Sequence, residues 1–248
     1  MRVSVCIATY NGEKFIRLQL DSIIPQLSEF DEIIISDNGS TDKTISIILS
    51  YTDSRIKLIH TPQVNNNYSD NYKSYIVTKN FENALQLATG DYIFLSDQDD
   101  IWEGSKISHS LSILQNNGIN LVIHDAIVVD ENNNIIADSY FRIVNSKIGF
   151  IKNVITNSYL GCCLAFDRKI LSISLPFPTN LVAHDLWIGL IAEKKGKVAF
   201  VENKLIRYRR HTATVTNSSS KSKHTLISKV KIRFQFVVQF FIRLQKNR

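Results

Sequence analysis

Gly90-Asp91-Tyr92-Ile93-Phe94-Leu95-Ser96-Asp97-Gln98-Asp99-Asp100-Ile101-Trp102 joins a turn, an apolar run and a cluster of acids. Gly-Asp opens it as a turn, and Tyr92 to Leu95 reads as a short buried strand. The strand then runs into three carboxylates within four residues. Acids crowded at a strand end repel one another, and a shared cation relieves them. Hard oxygen ligands at Asp-x-Asp spacing suit Mg2+ or Mn2+ and suit Zn2+ poorly. The competing reading is a solvated acidic turn whose Asp caps a helix starting near Trp102.

Upstream, Val3 to Ala8 forms a first strand, and Thr9-Tyr10-Asn11-Gly12 follows as a turn. A helix from about Glu13 carries Phe15, Ile16, Leu18, Ile23 and Ile24. Glu32 to Ser36 is a second strand, almost wholly apolar, as a central parallel strand should be. It stops at Asp37-Asn38-Gly39-Ser40-Thr41-Asp42. Ser40 to Asp42 can cap a helix that turns Ile45, Ile48 and Leu49 inward. Ile56 to Ile59 is a third strand. Alternating strands and helices argue for a parallel sheet with right-handed crossovers. Ligands in such sheets sit outside the carboxyl ends of the strands. The clusters at Thr9 to Asn11, Asp37 to Asp42 and Asp97 to Asp100 all fall there, which favours the cation reading.

Downstream, helices are expected at Thr78 to Leu87, Trp102 to Gln115, Gly149 to Val154 and His184 to Glu193. Strands are expected at Leu121 to Val129, Ile135 to Asp138, Tyr159 to Phe166, Val198 to Val201 and Leu205 to Tyr208. Asp167-Arg168-Lys169 reads as a turn, and Arg209-Arg210-His211 precedes a Ser/Thr-rich loop.

With 248 residues and 44% hydrophobic content the chain can bury a large core. Three cysteines are too few for a disulfide framework, and adjacent Cys162 and Cys163 read as buried thiols. The apolar run after Arg2 is too short for a signal peptide, and no apolar run is long enough to span a membrane. A cytoplasmic body is expected. Of 29 Lys and Arg, 12 lie from Lys204 onward with no acid among them, which leaves 17 against 23 acids before it. The body is mildly acidic and the end strongly basic.

Several motifs occur together in order: Ala8-Thr9-Tyr10-Asn11-Gly12, Ser36-Asp37-Asn38-Gly39-Ser40-Thr41-Asp42, Lys79-Asn80-Phe81 and Asp97-Gln98-Asp99-Asp100-Ile101-Trp102. Gly161-Cys162-Cys163-Leu164-Ala165-Phe166, His184-Asp185-Leu186-Trp187 and Tyr208-Arg209-Arg210-His211 follow. This set, over about residues 1–211, resembles a family 2 glycosyltransferase. The Asp-Gln-Asp-Asp-Ile-Trp form is most similar to members that build bacterial surface polysaccharides, rhamnosyltransferases included. The resemblance implies a GT-A fold: a Rossmann-like α/β sandwich with a mostly parallel central sheet and helices on both faces. It implies an inverting, metal-dependent transfer of sugar from a dTDP- or UDP-sugar to a glycan or lipid-linked acceptor.

Under that resemblance Thr9, Tyr10 and Asn11 line the nucleotide pocket, and Asp37 accepts a hydrogen bond from the imide N–H of uracil or thymine, or else serves as a turn or capping residue. Lys79 lies near the nucleotide or diphosphate, although the insertion-like stretch from Asn65 to Tyr75 precedes it. Asp99 is the direct metal ligand, Asp97 binds ribose or the metal's water, and Asp100 supports ligation, helix capping or the acceptor. The metal is Mg2+ or Mn2+ and neutralises the leaving nucleotide. Asp185 is the general base, or else the N-cap of its helix. His184 is its local partner. Trp102 and Trp187 stack on sugars or pack internally. Gly161 and Cys162 border the acceptor through backbone. His211 approaches the metal or diphosphate or else is structural, Arg209 and Arg210 help hold the diphosphate or simply flank the loop, and residues 212–223 form a flexible loop able to close over the donor.

In residues 224–248, Leu226, Val230, Phe234, Val237, Phe241 and Leu244 recur at helical spacing among lysines and arginines. This is a basic amphipathic helix suited to the inner membrane surface, with docking on the body as the alternative. Its apolarity disfavours nucleic acid. Two other classes compete with sugar transfer: a non-catalytic binder of nucleotide sugars or glycans on the same fold, and a sugar nucleotidyltransferase.

Overall fold

The computed structural model describes residues 1–61, 72–116, 118–210 and 226–246. Four strands, β1 (Val3–Thr9), β2 (Glu32–Asp37), β3 (Ile56–His60) and β4 (Tyr92–Asp97), lie parallel in the order β3-β2-β1-β4. Their crossovers run through α1 (Ile16–Ile23), α2 (Thr44–Leu49) and α3 (Tyr72–Leu87). Val5, Ile7, Ile33, Ile34, Ile35, Ile93, Phe94 and Leu95 are fully buried, as strands covered on both faces should be.

Beyond β4 the sheet becomes mixed. Chain order supplies β5 (Ile101–Trp102), α4 (Lys106–Leu114), β6 (Leu121–Val129), β7 (Ile135–Ala137), α5 (Tyr140–Val144) and α6 (Phe150–Ile155). β8 (Leu164–Asp167), α7 (Arg168–Ser174), α8 (His184–Lys195), β9 (Val198–Arg209) and α9 (Leu226–Lys246) follow. The sheet continues from β4 as β8-β6-β9-β5, with β7 on the other side of β6. β6 and β9 are parallel, and β8 is antiparallel to both β4 and β6.

Several local expectations change. Trp102 does not begin a helix. It pairs with Ile206 in a two-residue strand, and Glu103 N–H continues that pairing to Leu205, so α4 starts only at Lys106. Gly161 to Cys163 form a 3-10 turn before the short β8. Asp167 is no simple turn residue: its carboxylate caps α7, accepting from Ile170 N–H at 2.9 Å. The two late strands are one, because Glu202 and Asn203 bulge between the pairs His124–Val201 and Asp125–Lys204. Leu18 and Leu49 face solvent; the short α2 buries only Thr44 and Ile48.

Glu32 is a buried acid that ties this half together. It accepts from Ser4 Oγ at 2.7 Å, from both N–H and Oγ1 of Thr89 at 2.7 Å, and from Lys57 Nζ at 2.7 Å. Burial pushes its carboxyl up, but the bonds from Lys57, Thr89 and Ser4 win and hold it at about 2.

The basic tail docks on the body. Phe236 and Phe240 meet the Trp187 ring edge-on at 5.8 and 5.9 Å, and Phe240 is fully buried. Arg243 donates to the carbonyls of Ile173, Ser174 and Leu175 at 2.9 to 3.1 Å and to that of Pro176. Phe241 and Phe234, counted with the apolar stripe from the sequence, face outward. Among the described residues no helix is long and apolar enough to cross a membrane.

Candidate active site

Strand register builds the site. Thr9 stands beside Asp37, and Ala8 beside Asp97, so the carboxyl ends of β1, β2 and β4 form one edge. The 3-10 turn at Gly161 to Cys163 packs beside β4, and the first turn of α8 closes the far side. A methyl group added to Gly161 would lie 3.2 Å from His184 Nε2 and 3.8 Å from Asp185 Cβ. Glycine there lets the first turn of α8 pack closely against the 3-10 turn.

On the first strand ends, Asp37 is fully buried and its four acceptor positions are filled. Oδ1 accepts from Thr9 Oγ1 at 2.9 Å and Ser40 Oγ at 2.6 Å; Oδ2 accepts from the N–H groups of Gly39 at 2.9 Å and Ser40 at 2.8 Å. The carboxylate expected to read a base instead shapes the loop that would hold one. Asn38, next in line, is half-buried. Asn11 adopts φ 48°, and its Oδ1 accepts from Thr41 N–H at 2.8 Å, which locks the two loops together. Tyr10 is 53% exposed on this edge. Gln98 grips the Tyr10 backbone from both sides, accepting from N–H at 2.9 Å and donating to the carbonyl at 3.0 Å.

The acids of the opening stretch divide. Asp97, Asp100 and Cys162 bring ligand atoms within 4.8 Å of one another; Asp99 stands outside that trio. Asp100 is fully buried, with Oδ1 accepting from Arg209 N–H at 2.9 Å and Oδ2 without a hydrogen-bond partner. Burial first, then the charges of Asp99 and Asp185, push Asp97 up to about 7. Burial and the charges of Asp99 and Asp97 also hold Asp100 well above the usual carboxylate range. The Cys162 thiol is raised by burial and stays protonated, so the donors offered are hard oxygens. An orphaned buried carboxylate oxygen beside crowded acids fits a divalent Mg2+ or Mn2+ ion.

Beneath them lies Lys106, which sequence reasoning missed. It is fully buried, donates to the Cys162 carbonyl at 2.6 Å and sits 3.9 Å from the centre of the Trp102 ring. Burial lowers its ammonium to about 8, against the pull of neighbouring acids. The only signal was its place on the inward stripe Lys106, Ser110 and Leu114 of α4.

Asp185 sits in the first turn of α8. Its Oδ1 accepts from Leu186 N–H at 2.7 Å and its Oδ2 from Asn157 Nδ2 at 3.2 Å. Burial raises it to about 6 despite those bonds. His184 stacks on Phe81 at 4.3 Å, lies 3.4 Å from Thr78 Oγ1, and is held down to about 3 by burial. It is therefore a neutral ring.

Other expected site residues are engaged with the protein itself. Lys79 pairs with Glu82 at 2.6 Å along α3. Trp102 and Trp187 are 3% and 0% exposed, so neither offers a face to a sugar; both are packing residues. Arg209 is buried across the Phe15 ring and donates to the carbonyls of Asp99, Asp130 and Glu131, which makes it a brace for the acidic turn and not a diphosphate clamp. His211 and the 212–223 loop lie outside the described residues.

Comparison with known proteins bears on the family and the fold. The model of the family described as Glycosyl transferase family 2 matches residues 4–173. The UDP-Glc:alpha-D-GlcNAc-diphosphoundecaprenol beta-1,3-glucosyltransferase WfgD of Escherichia coli is 29% identical over 193 residues, covering 77% of this chain and 70% of that protein. The crystal structure of S. aureus TarS 1-349 in complex with UDP-GlcNAc matches with a TM-score of 0.69 at 18% identity, over 94% of this chain and 65% of that one. Mannosyltransferase PcManGT from Pyrobaculum calidifontis, in complex with GDP-Man and Mn2+, matches with a TM-score of 0.60 at 19% identity, over 99% and 64%. These two structures share the fold, which is GT-A, and this chain spans about two thirds of the length of each.

Proposed function

This chain belongs to glycosyl transferase family 2, and from that premise we propose that it transfers a sugar from a UDP- or dTDP-sugar to a glycan or lipid-linked acceptor in surface polysaccharide synthesis. The observation that carries the reading is the shared edge: Thr9, Asp37 and Asp97 end adjacent strands, and Asp185 lies near enough for its charge to act on Asp97.

Asp37 sets the floor of the base pocket, and contact with the base falls to Tyr10 and Asn38. The Asn38 amide can accept from an imide N–H and donate to a ring carbonyl. Asp97 and Asp100 hold the cation, with Asp99 beside them; Mg2+ or Mn2+, when bound, supplies charge neutralisation at the leaving diphosphate. Lys106 balances the acids from below. Asp185 takes the proton of the acceptor hydroxyl. The hydroxyl oxygen bonds to the anomeric carbon while the bond from that carbon to the diphosphate breaks, and the nucleoside diphosphate leaves with inversion. A base poised at about 6 suits proton abstraction near neutral pH. A non-catalytic binder would have no use for it. A lipid-linked acceptor would hold the enzyme at the cytoplasmic face of the membrane.

The test is a donor screen of UDP- and dTDP-sugars with Mg2+ or Mn2+, reading nucleoside diphosphate release with and without a polyprenyl-diphosphate-linked acceptor. Release stimulated by acceptor and lost in chelator supports the proposal. Release of inorganic diphosphate from a nucleoside triphosphate and a sugar phosphate would replace it with nucleotidyl transfer.

A further inference from the structure

The tail helix α9 has two apolar faces. One carries Phe236, Phe240 and Leu244 and packs on the body. The other carries Phe234, Val238, Phe241 and Ile242, which are 67, 40, 49 and 48% exposed. Spacings of four, three and one residues put these four on a single helical stripe, opposite the docked one.

A second exposed row lies beside it. On α6, Ile151 and Ile155 are 75 and 58% exposed, one turn apart. The two helices are held together by Phe150, whose ring is 5.0 Å from Phe240 and 6.0 Å from Phe241, and by Arg233, which donates to the Ile155 carbonyl at 2.7 Å. Large apolar side chains this exposed on two adjoining helices mark a contact surface. Its rim is cationic: Arg233 and Lys147 are exposed, and Lys194 is exposed with its ammonium 5.6 Å from the Phe150 ring.

We infer that α6 and α9 together form a membrane-docking surface for an anionic lipid leaflet, with α9 lying in the interfacial plane. Apolar rows enter the headgroup boundary while the rim cations meet anionic headgroups. Charge favours lipid over a second copy of the chain: a two-fold interface would set Arg233, Lys147 and Lys194 of each copy near one another, and the acid beside them, Glu193, is already bonded to Gly149 N–H and Tyr159 Oη. The surface names the partner of the proposed reaction and rests on that reading only for its purpose. The docked face of α9 touches Trp187, two residues from Asp185 on α8. One helix layer therefore stands between the leaflet and the helix of the proposed base, a short reach for a lipid-linked acceptor.

Flotation of the full chain with vesicles of phosphatidylcholine alone, or with phosphatidylglycerol added, tests this. Wild type is expected on the anionic vesicles and released by salt. Ile151→Asp with Ile155→Asp, and separately Phe234→Glu with Ile242→Glu, should each weaken partitioning about tenfold or more while leaving the basal nucleoside diphosphate release, read without vesicles or lipid-linked acceptor, unchanged. Wild-type binding by the α6 pair would overturn the two-helix surface, and equal binding to neutral vesicles would overturn the lipid charge preference. Absence of vesicle binding, with a dimer in sedimentation that both pairs dissociate, would assign the face to a second copy. Vesicle binding without nucleoside diphosphate release would leave the surface standing and sink the proposed reaction instead.

Discussion

Asp185 carries a burial-raised carboxyl at about 6, so the proposed base is fully ionised only above that pH. The rate should fall about tenfold per pH unit below about 6 and level off above it. Asp185→Asn should flatten this limb and lower kcat by about 10^2 to 10^4, with donor affinity unchanged by calorimetry; equal loss of donor binding would return Asp185 to a capping role. Asp37 and Asn38 should separate in the opposite sense. Asn38→Ala should raise the donor KM and leave stability near wild type, whereas Asp37→Ala leaves Thr9 and Ser40 without their acceptor and should cost about 2 kcal/mol in urea unfolding. Asp37 and the Asp97 cluster were legible in sequence because each ends an apolar run, and Asp185 came through the family resemblance. Their partners were not: the lysine beneath them meets a carbonyl 56 positions away, and only folding brings the two together.

At the scale of elements, hydrophobic period located β1, β2 and β4 because each is apolar on both faces. It failed where a short element is defined by its partner. Ile101 and Trp102 look like the start of α4, yet they pair with β9, a strand more than a hundred positions on, and the Trp102 N–H donates to Ser22 Oγ at 3.0 Å. Glu32 shows the same dependence on distant partners. Its folded carboxyl, at about 2, lies below its ordinary 4.5, so its bonds contribute full stability above about pH 4.5 and lose it as pH falls toward 2. Glu32→Gln should remove much of that acid limb and cost about 2 kcal/mol at neutral pH, since a neutral amide cannot serve Lys57, Thr89 and Ser4 alike. Urea midpoints at pH 3 and pH 7 check both parts. Loss of the same stability at the two values would mean that the charge of Glu32 contributes nothing.

For the whole molecule, the sequence separated an acidic body from a basic helical tail through charge asymmetry and helical spacing. It could not divide the tail's apolar residues between inside and outside, because the body's contribution, Trp187 and the carbonyls after Ile173, is invisible in the tail itself. Phe240 and Phe241 are neighbours in sequence with opposite fates. Phe240 is fully buried against Trp187 and Phe150, so Phe240→Ala removes a ring from a closed site and leaves a cavity; about 3–5 kcal/mol of stability should go with it. Phe241 is half exposed, and Phe241→Ala should cost well under 1 kcal/mol in solution. Vesicle binding should rank them the other way, with Phe241→Ala weakening partitioning directly. Fluorescence distinguishes the two as well, since Trp187 lies under the docked face and Trp102 does not. Phe240→Ala should shift Trp187 emission to the red in the absence of denaturant and Phe241→Ala should leave it unchanged. Equal stability losses would mean that the helix is not docked through the face bearing Phe240.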